Sequence, residues 1–280
     1  MIIDSHVYCL PPRLRDPLVR LPASEAAVRT AIHRHPDGPR VLPFSSPESI
    51  GRSMKAGGIY RSVFVSFPWY EPRLCAENND FVLSQARDLG FWAVCSVQPA
   101  RLGWKEEARR CLSAGAVGIK VNPAWQGGAL DDPSVLRLAG LVEQENAFLL
   151  AHTDQPTRDS SASPARLLEL ARRRPRTRIV AAHMGGLLGL YADLPWIKPL
   201  LKNLWFDTAV SETMRMVGWY VQAGLAGRLL FGTDYPFNAC HSQSKVLARL
   251  RGLGLGKASE ASVLGGNFLK LLALGGRKEP

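Results

Sequence analysis

Residues 148–183 read FLLAHTDQPTRDSSASPARLLELARRRPRTRIVAAH. Two short apolar runs, FLLAHT (148–153) and RIVAAH (178–183), flank a segment of helical pattern from Pro164 to Arg174. Neither run mainly alternates polar with apolar residues, which is how a strand buried on both faces reads. The basic run Arg172–Arg178 closes the helix, where the macrodipole favours cations. The stretch is therefore a strand–helix–strand unit, and each of its strands ends in a histidine.

The same unit recurs along the chain. Further apolar runs are MIIDSH (1–6), SVFVSF (62–67), FWAVCSV (91–97), VGIKVN (117–122), LWFDTA (204–209) and LLFGTD (229–234). Helical segments lie between them, at Glu71–Leu89, Trp104–Ala114, Pro133–Asn146 and Glu212–Ala223. Eight strands alternating with helices predict an α/β fold of the (β/α)8 TIM-barrel type, as one domain over residues 1–280. An open doubly wound sheet is the fallback, but no GxGxxG follows the first strand. Residues 9–45, rich in Pro and Arg, are too long for an ordinary loop after the first strand and are expected to form a flap over the barrel mouth.

Composition sets the class. The chain has 280 residues, 46% hydrophobic and 21% charged, enough to bury a full core. The net charge of +11 comes with no nucleic-acid-binding motif, so it reads as a solvated surface and no nucleic-acid partner is expected. Cys9, Cys75, Cys95, Cys111 and Cys240 are scattered and form no CxxC, which argues against a disulfide framework or a zinc knuckle. With no apolar run of about 18 residues and no basic-then-apolar start, neither a membrane span nor a signal peptide is indicated. The expectation is a soluble, cytoplasmic protein.

In this architecture the C-terminal ends of the strands line the active site. Those ends carry His6, Lys120, His152, His183 and Asp234. Any one of them could satisfy a backbone carbonyl or cap a helix. Together, three imidazoles and a carboxylate supply what a zinc or similar divalent ion needs, with an open position for water.

The motifs IDSH, VGIKVNP, LLAHT, VAAHMGG, LLFGTDYPF and GGNFLKLL, in this order over nearly the whole chain, resemble the amidohydrolase superfamily, in its amidohydrolase-related, aminocarboxymuconate-semialdehyde decarboxylase-like branch. The resemblance implies roles by position. His6, His152 and Asp234 match metal ligands for one divalent ion, zinc first, while Asp234 also accepts a proton and His183 orients water or substrate. Lys120 matches a strand-four lysine that either receives an anionic substrate group or simply packs. The family's first strand carries a second histidine where Tyr8 stands. Tyr8 still projects from the face of His6, so it is a weak fourth ligand, a mark of loose metal binding, or a sign of metal-free chemistry by His183 and Asp234.

The implied activity is metal-dependent hydrolysis of an amide, lactone or ester bond in a small anionic or cyclic molecule. The alternatives are non-oxidative decarboxylation of an aromatic or enoic acid, with the metal gripping the substrate carboxylate, and a degenerate barrel that only binds a ligand. Trp69 and Tyr70 stand where a ring could stack, or where they pack the flap, and Trp69 joins Tyr8 and Lys120 as candidate substrate contacts. His33 and His35 in the insertion are expected to be exposed, and Cys240 and His241 to precede a helix rather than ligate. A homodimer is compatible with the sequence and not specified by it.

Overall fold

Eight parallel strands run in the order β1 to β8, each paired with its sequence neighbour: Ile3–Tyr8, Arg61–Val65, Trp92–Ser96, Gly118–Val121, Phe148–Ala151, Arg178–Ala181, Leu204–Asp207 and Leu229–Leu230. The computed structural model describes residues 1–16, 18–34, 42–154, 160–209, 214–237 and 242–277. Helices follow the strands, among them Pro72–Leu89, Trp104–Ser113, Pro133–Gln144, Pro164–Arg173 and Arg215–Gln222. The last strand returns to the first: Val7 and Tyr235 form a parallel bridge, Ser5 N–H donates to Phe231 O at 2.8 Å, and Asp234 N–H donates to His6 O at 2.9 Å. The molecule is a single-domain TIM barrel.

Strand parity divides the core in two. Val63, Val65, Trp92, Val94, Phe148, Leu150, Val180, Trp205 and Leu230 cluster inside the barrel, while Phe64, Cys95, Ile119, Leu149, Ile179, Phe206 and Phe231 pack outward against helices. This is the period-two alternation of a pleated sheet buried on both sides. In β1 the alternation breaks. Its register on β2 slips between Asp4, opposite Ser62, and Val7, opposite Phe64. Because of this bulge, Ile3 and Tyr8, of opposite parity, both enter the inner cluster.

The bulge separates Asp4 from His6 and Tyr8. Asp4 is fully buried and accepts from Thr233 Oγ1 at 2.6 Å, Gln243 Nε2 at 2.7 Å, Thr233 N at 3.0 Å and His6 N at 3.2 Å. Burial raises its carboxyl to about 6, against those bonds, which favour the ionised form. Asp4 thus fastens β1 to the segment after β8 and to the helix Gln243–Arg251.

Regular strand structure ends short of several apolar runs, because terminal N–H groups leave the ladder for side chains. His183 N–H donates to Asp207 Oδ1, Gly232 N–H to Thr208 Oγ1, and Thr233 N–H to Asp4 Oδ1. The described parts of residues 9–45 hold short helices, and Leu10, Leu14, Val28 and Leu42 join the inner cluster beside Tyr8, Phe67 and Trp69. Buried Glu25 accepts from Tyr70 N and Glu71 N, clipping this segment to the end of β2. His35, Cys240 and His241 and the side chain of His33 lie outside the described residues.

Replacing Asp4 strands several buried donors, each worth about 1–3 kcal/mol when left unpaired. Asp4→Ala is therefore expected to lower the unfolding free energy by about 3 kcal/mol or more in urea titrations. An effect within about 0.5 kcal/mol, the range of neutral surface changes, would show that the seam does not depend on it.

Candidate active site

Inward parity delivers most of the polar residues. Lys120 follows Gly118 on β4, His152 follows Leu150 after β5, Asp207 follows Trp205 on β7, and Asp234 follows Leu230 and Gly232 after β8. Gly232 has to be small, since a Cβ there would stand 3.1 Å from both His6 Cβ and Ser5 Oγ.

His183 reaches the site by another route. Ala182 takes the inward position, and the chain from His183 to Leu187 then adopts positive φ throughout, from 56° to 71°. For the non-glycine members this left-handed backbone costs roughly 1–2 kcal/mol each. It is held by His183 N–H donating to Asp207 Oδ1 at 2.7 Å and by the Tyr220 hydroxyl, which bonds Met184 O and accepts from Gly189 N. Strain concentrated at one histidine, and locked by buried partners, is a mark of a working residue.

Asp207, which the sequence reading passed over, ties the site together. It is fully buried, and its Oδ2 accepts from His6 Nδ1 at 2.8 Å. Burial would raise its carboxyl, but His6, His183 and Lys120 outweigh that and hold it near 2. With Nδ1–H committed to Asp207, His6 presents an unprotonated Nε2. Lys120 Nζ donates to that nitrogen over 3.4 Å, and Asp234 Oδ1 lies 3.4 Å from it. Asp234 Oδ1 is buried and has no hydrogen bond of its own.

Charge states follow from these surroundings. Burial lowers His6 to about 4, Lys120 adding to the effect and Asp207 opposing it. Lys120, fully buried, falls to about 8, with Asp207 and Asp234 supporting its charge, so it is an ammonium at neutral pH. Asp234 is pushed well above the usual carboxylate range by burial, with Asp207 and Asp4 adding and Lys120 opposing. It also sits in the left-handed region, at φ 59°.

His152 and His183 form a second group. His183 Nε2 lies 3.1 Å from His152 Nδ1, and His152 Nε2 lies 3.0 Å from Asp154 Oδ1. Burial lowers both imidazoles, and the bond from His152 holds Asp154 near 2. The groups meet through the rings of His6 and His183, whose centroids are 5.9 Å apart. All five strand-end residues picked from the sequence therefore belong to one constellation.

Aromatic rings wall it. Tyr8 meets His6 edge-on at 5.2 Å, packs on Phe67 and Phe237, and has Lys120 Nζ 5.9 Å from its ring centre. Of the two readings of Trp69, a stacking contact or packing under the flap, its surroundings favour packing: it is buried, donates its indole N–H to Asn78 Oδ1, and backs Phe67. The indole facing the site is that of Trp125, which is half-buried, stacked on Phe67 at 4.8 Å and facing His152 at 6.5 Å.

The amidohydrolase family model matches residues 3–274. The chain belongs to the amidohydrolase family. Among solved structures, the 5-carboxyvanillate decarboxylase of Sphingomonas paucimobilis is similar at 15% identity and TM-score 0.78, over 97% of this chain and 98% of that one. A dihydroxybenzoic acid decarboxylase from Polaromonas sp. JS666, solved with manganese and 2-nitroresorcinol, matches at 16% and 0.74, over 99% and 98%. A probable 2-pyrone-4,6-dicarboxylic acid hydrolase from Acinetobacter baumannii matches at 16% and 0.62, over 97% and 99%. At such identities the likeness is one of fold. No curated protein sequence matches significantly.

The resemblance implied a metal on His6, His152 and Asp234. His6 Nε2 and Asp234 Oδ1, 3.4 Å apart, have the separation of two ligands of a tetrahedral ion at about 2.1 Å. His152 has both ring nitrogens engaged, by His183 and Asp154. Among the described residues no three His, Cys, Asp or Glu side chains are grouped to hold an ion. The Lys120 ammonium stands at the same distance from Nε2 as the Asp234 oxygen. This arrangement does not fit a bound ion, and no chemical step is routed through one.

The paired environment of His6 yields a spectroscopic expectation. In long-range 1H–15N spectra its ring should remain the neutral Nδ1–H tautomer down to about pH 4, because burial and Lys120 oppose a second proton. In Asp207→Asn the tautomer preference should be lost. A midpoint near the ordinary 6.5 in the wild type would contradict the assigned network.

Proposed function

We propose that this protein is a non-oxidative decarboxylase of a small, planar, unsaturated or aromatic carboxylic acid. The observation that carries the reading is the half-buried carboxyl of Asp234, whose buried Oδ1 makes no hydrogen bond, lies 3.4 Å from His6 Nε2 and shares that nitrogen with the Lys120 ammonium, burial raising its proton affinity. A carboxyl whose proton affinity is raised is biased toward the acid form, the form that can donate, and decarboxylation needs a proton at the carbon that loses CO2. Hydrolysis, favoured from sequence alone, becomes the second reading. The similar structures named for decarboxylation of ring acids support this order.

The reaction can be written with this chain's residues. Lys120 receives an anionic oxygen of the substrate, and Trp125 and Phe237 flank the ring. Asp234 gives its proton to the carbon bearing the carboxylate. The bond to the carboxylate then breaks, its electron pair returns to the ring, and CO2 leaves. Asp234, now ionised, regains a proton from solvent, so each turnover consumes one proton. His183 and His152, backed by Asp154, hold a second polar group of the substrate. Tyr8 supports the Lys120 stem and the ring wall.

Hydrolysis keeps one supporting observation, the His183–His152–Asp154 chain, which could take a proton from water attacking a cyclic ester. The two readings separate on carboxylated hydroxybenzoates and pyrone carboxylates assayed in D2O. Decarboxylation releases one CO2 per substrate and leaves deuterium on the vacated carbon, whereas ring opening with oxygen from water and no CO2 would establish hydrolysis. Asp234→Asn is expected to lower kcat by about 10²–10⁴, the usual weight of a general acid. A loss under tenfold would remove Asp234 from that role.

A further inference from the structure

We propose that the ammonium of Lys120 stands in for a divalent metal, so that the site carries its own fixed cation and excludes zinc and manganese. The inference concerns the empty-handed protein and is independent of which reaction it catalyses.

Geometry carries it. Lys120 enters from β4, three strands from β1, with its whole stem buried. Its Nζ lies 3.4 Å from His6 Nε2, the nitrogen that Asp207 leaves unprotonated and that a metal would use. An ion sharing His6 Nε2 and Asp234 Oδ1 would lie within a few ångströms of Nζ. Two unlike demands then collide: an ammonium has no lone pair to give, and repulsion between a divalent and a univalent cation at such range is strong in a buried site.

The surroundings are built for one positive charge. Asp207 is the anion, reached through His6 as Lys120 Nζ–H to Nε2 and Nδ1–H to Oδ2. A hydrogen-bonded carboxylate behind an imidazole is the support a metal ligand ordinarily has. Here the front of the same imidazole meets a lysine. The third expected donor, His152, is spent on His183 and Asp154. Tyr8, where relatives would offer a second strand-one histidine by the resemblance, turns an aromatic face toward Nζ at 5.9 Å, a contact suited to an organic cation.

The test needs no substrate, so failure of the decarboxylase reading leaves it intact. Full-length protein purified without added metal is measured for zinc, manganese and iron, then titrated with Zn2+ and with Mn2+. The wild type is expected to hold well under about 0.1 ion per chain, with Mn2+ leaving the His6 ring signals unbroadened and neither ion raising Tm. About one tightly held ion per chain would overturn the proposal and reinstate His6, His152 and Asp234 as ligands. In Lys120→Met, which keeps the stem and deletes the charge, the His6–Asp234 edge is uncovered, and zinc affinity should rise at least about tenfold. Equal affinity in a folded Lys120→Met protein would also overturn it, because the ammonium would then not be what keeps the ion out. Should that variant fail to fold, the metal content and Mn2+ broadening of the wild type decide alone.

Discussion

The carboxylate of Asp207 is the constraint on which this site rests. It is fully buried, and three groups keep it ionised against the cost of its desolvation: the His6 imidazole, the His183 main chain and the Lys120 charge. Each partner lies on a different part of the barrel, and each is placed by the contact. His6 is held in one tautomer. His183 is kept in a backbone conformation that costs energy. Lys120 stays charged in a place where burial alone would neutralise it. A buried charge is tolerated only when fully partnered, and here the partnering is also what aims the residues.

How much of this the sequence displayed depends on the kind of signal. The barrel was legible because parallel strands buried on both faces leave continuous apolar runs, and six of the eight strands fall within the runs read from the sequence, while β1 continues to Tyr8 and β2 starts at Arg61. Their ends were legible only to within a few residues. At the mouth, N–H groups pass from the ladder to Asp4, Thr208 and Asp207, and no propensity encodes which side chain will intercept a backbone donor. The bulge in β1 was invisible for a related reason: alternation in DSHVY looks regular, and only pairing with β2 reveals the slip.

For the site, the rule that catalytic groups close barrel strands found His6, Lys120, His152, His183 and Asp234. Applied evenly it would also have found Asp207, the acid that closes the apolar run LWF in LWFDTA. An acid that orients a neighbouring imidazole, as Asp207 does with His6, carries no separate mark in sequence. Trp125 lies on a short helix after β4, and which indole of several faces a cavity is decided by packing of its neighbours. Trp69, nearer in sequence to the expected rim, is consumed by its bond to Asn78.

Charge balance links the fixed cation to the proposed chemistry. Without substrate, Asp207 and Lys120 are the ionised pair, and burial keeps Asp234 toward neutrality. A carboxylate arriving at Lys120 adds a negative charge near Asp234, and like charges in a poorly solvated site oppose a second ionisation. In the proposed decarboxylation, substrate binding would therefore raise the proton affinity of the acid assigned to protonate it. A divalent ion in the same place would pull the other way, stabilising the Asp234 carboxylate and withdrawing the donor. In the proposed reaction the single charge of Lys120 opposes protonation of Asp234 less than a divalent ion would and still attracts the substrate carboxylate, so the two residues would act together.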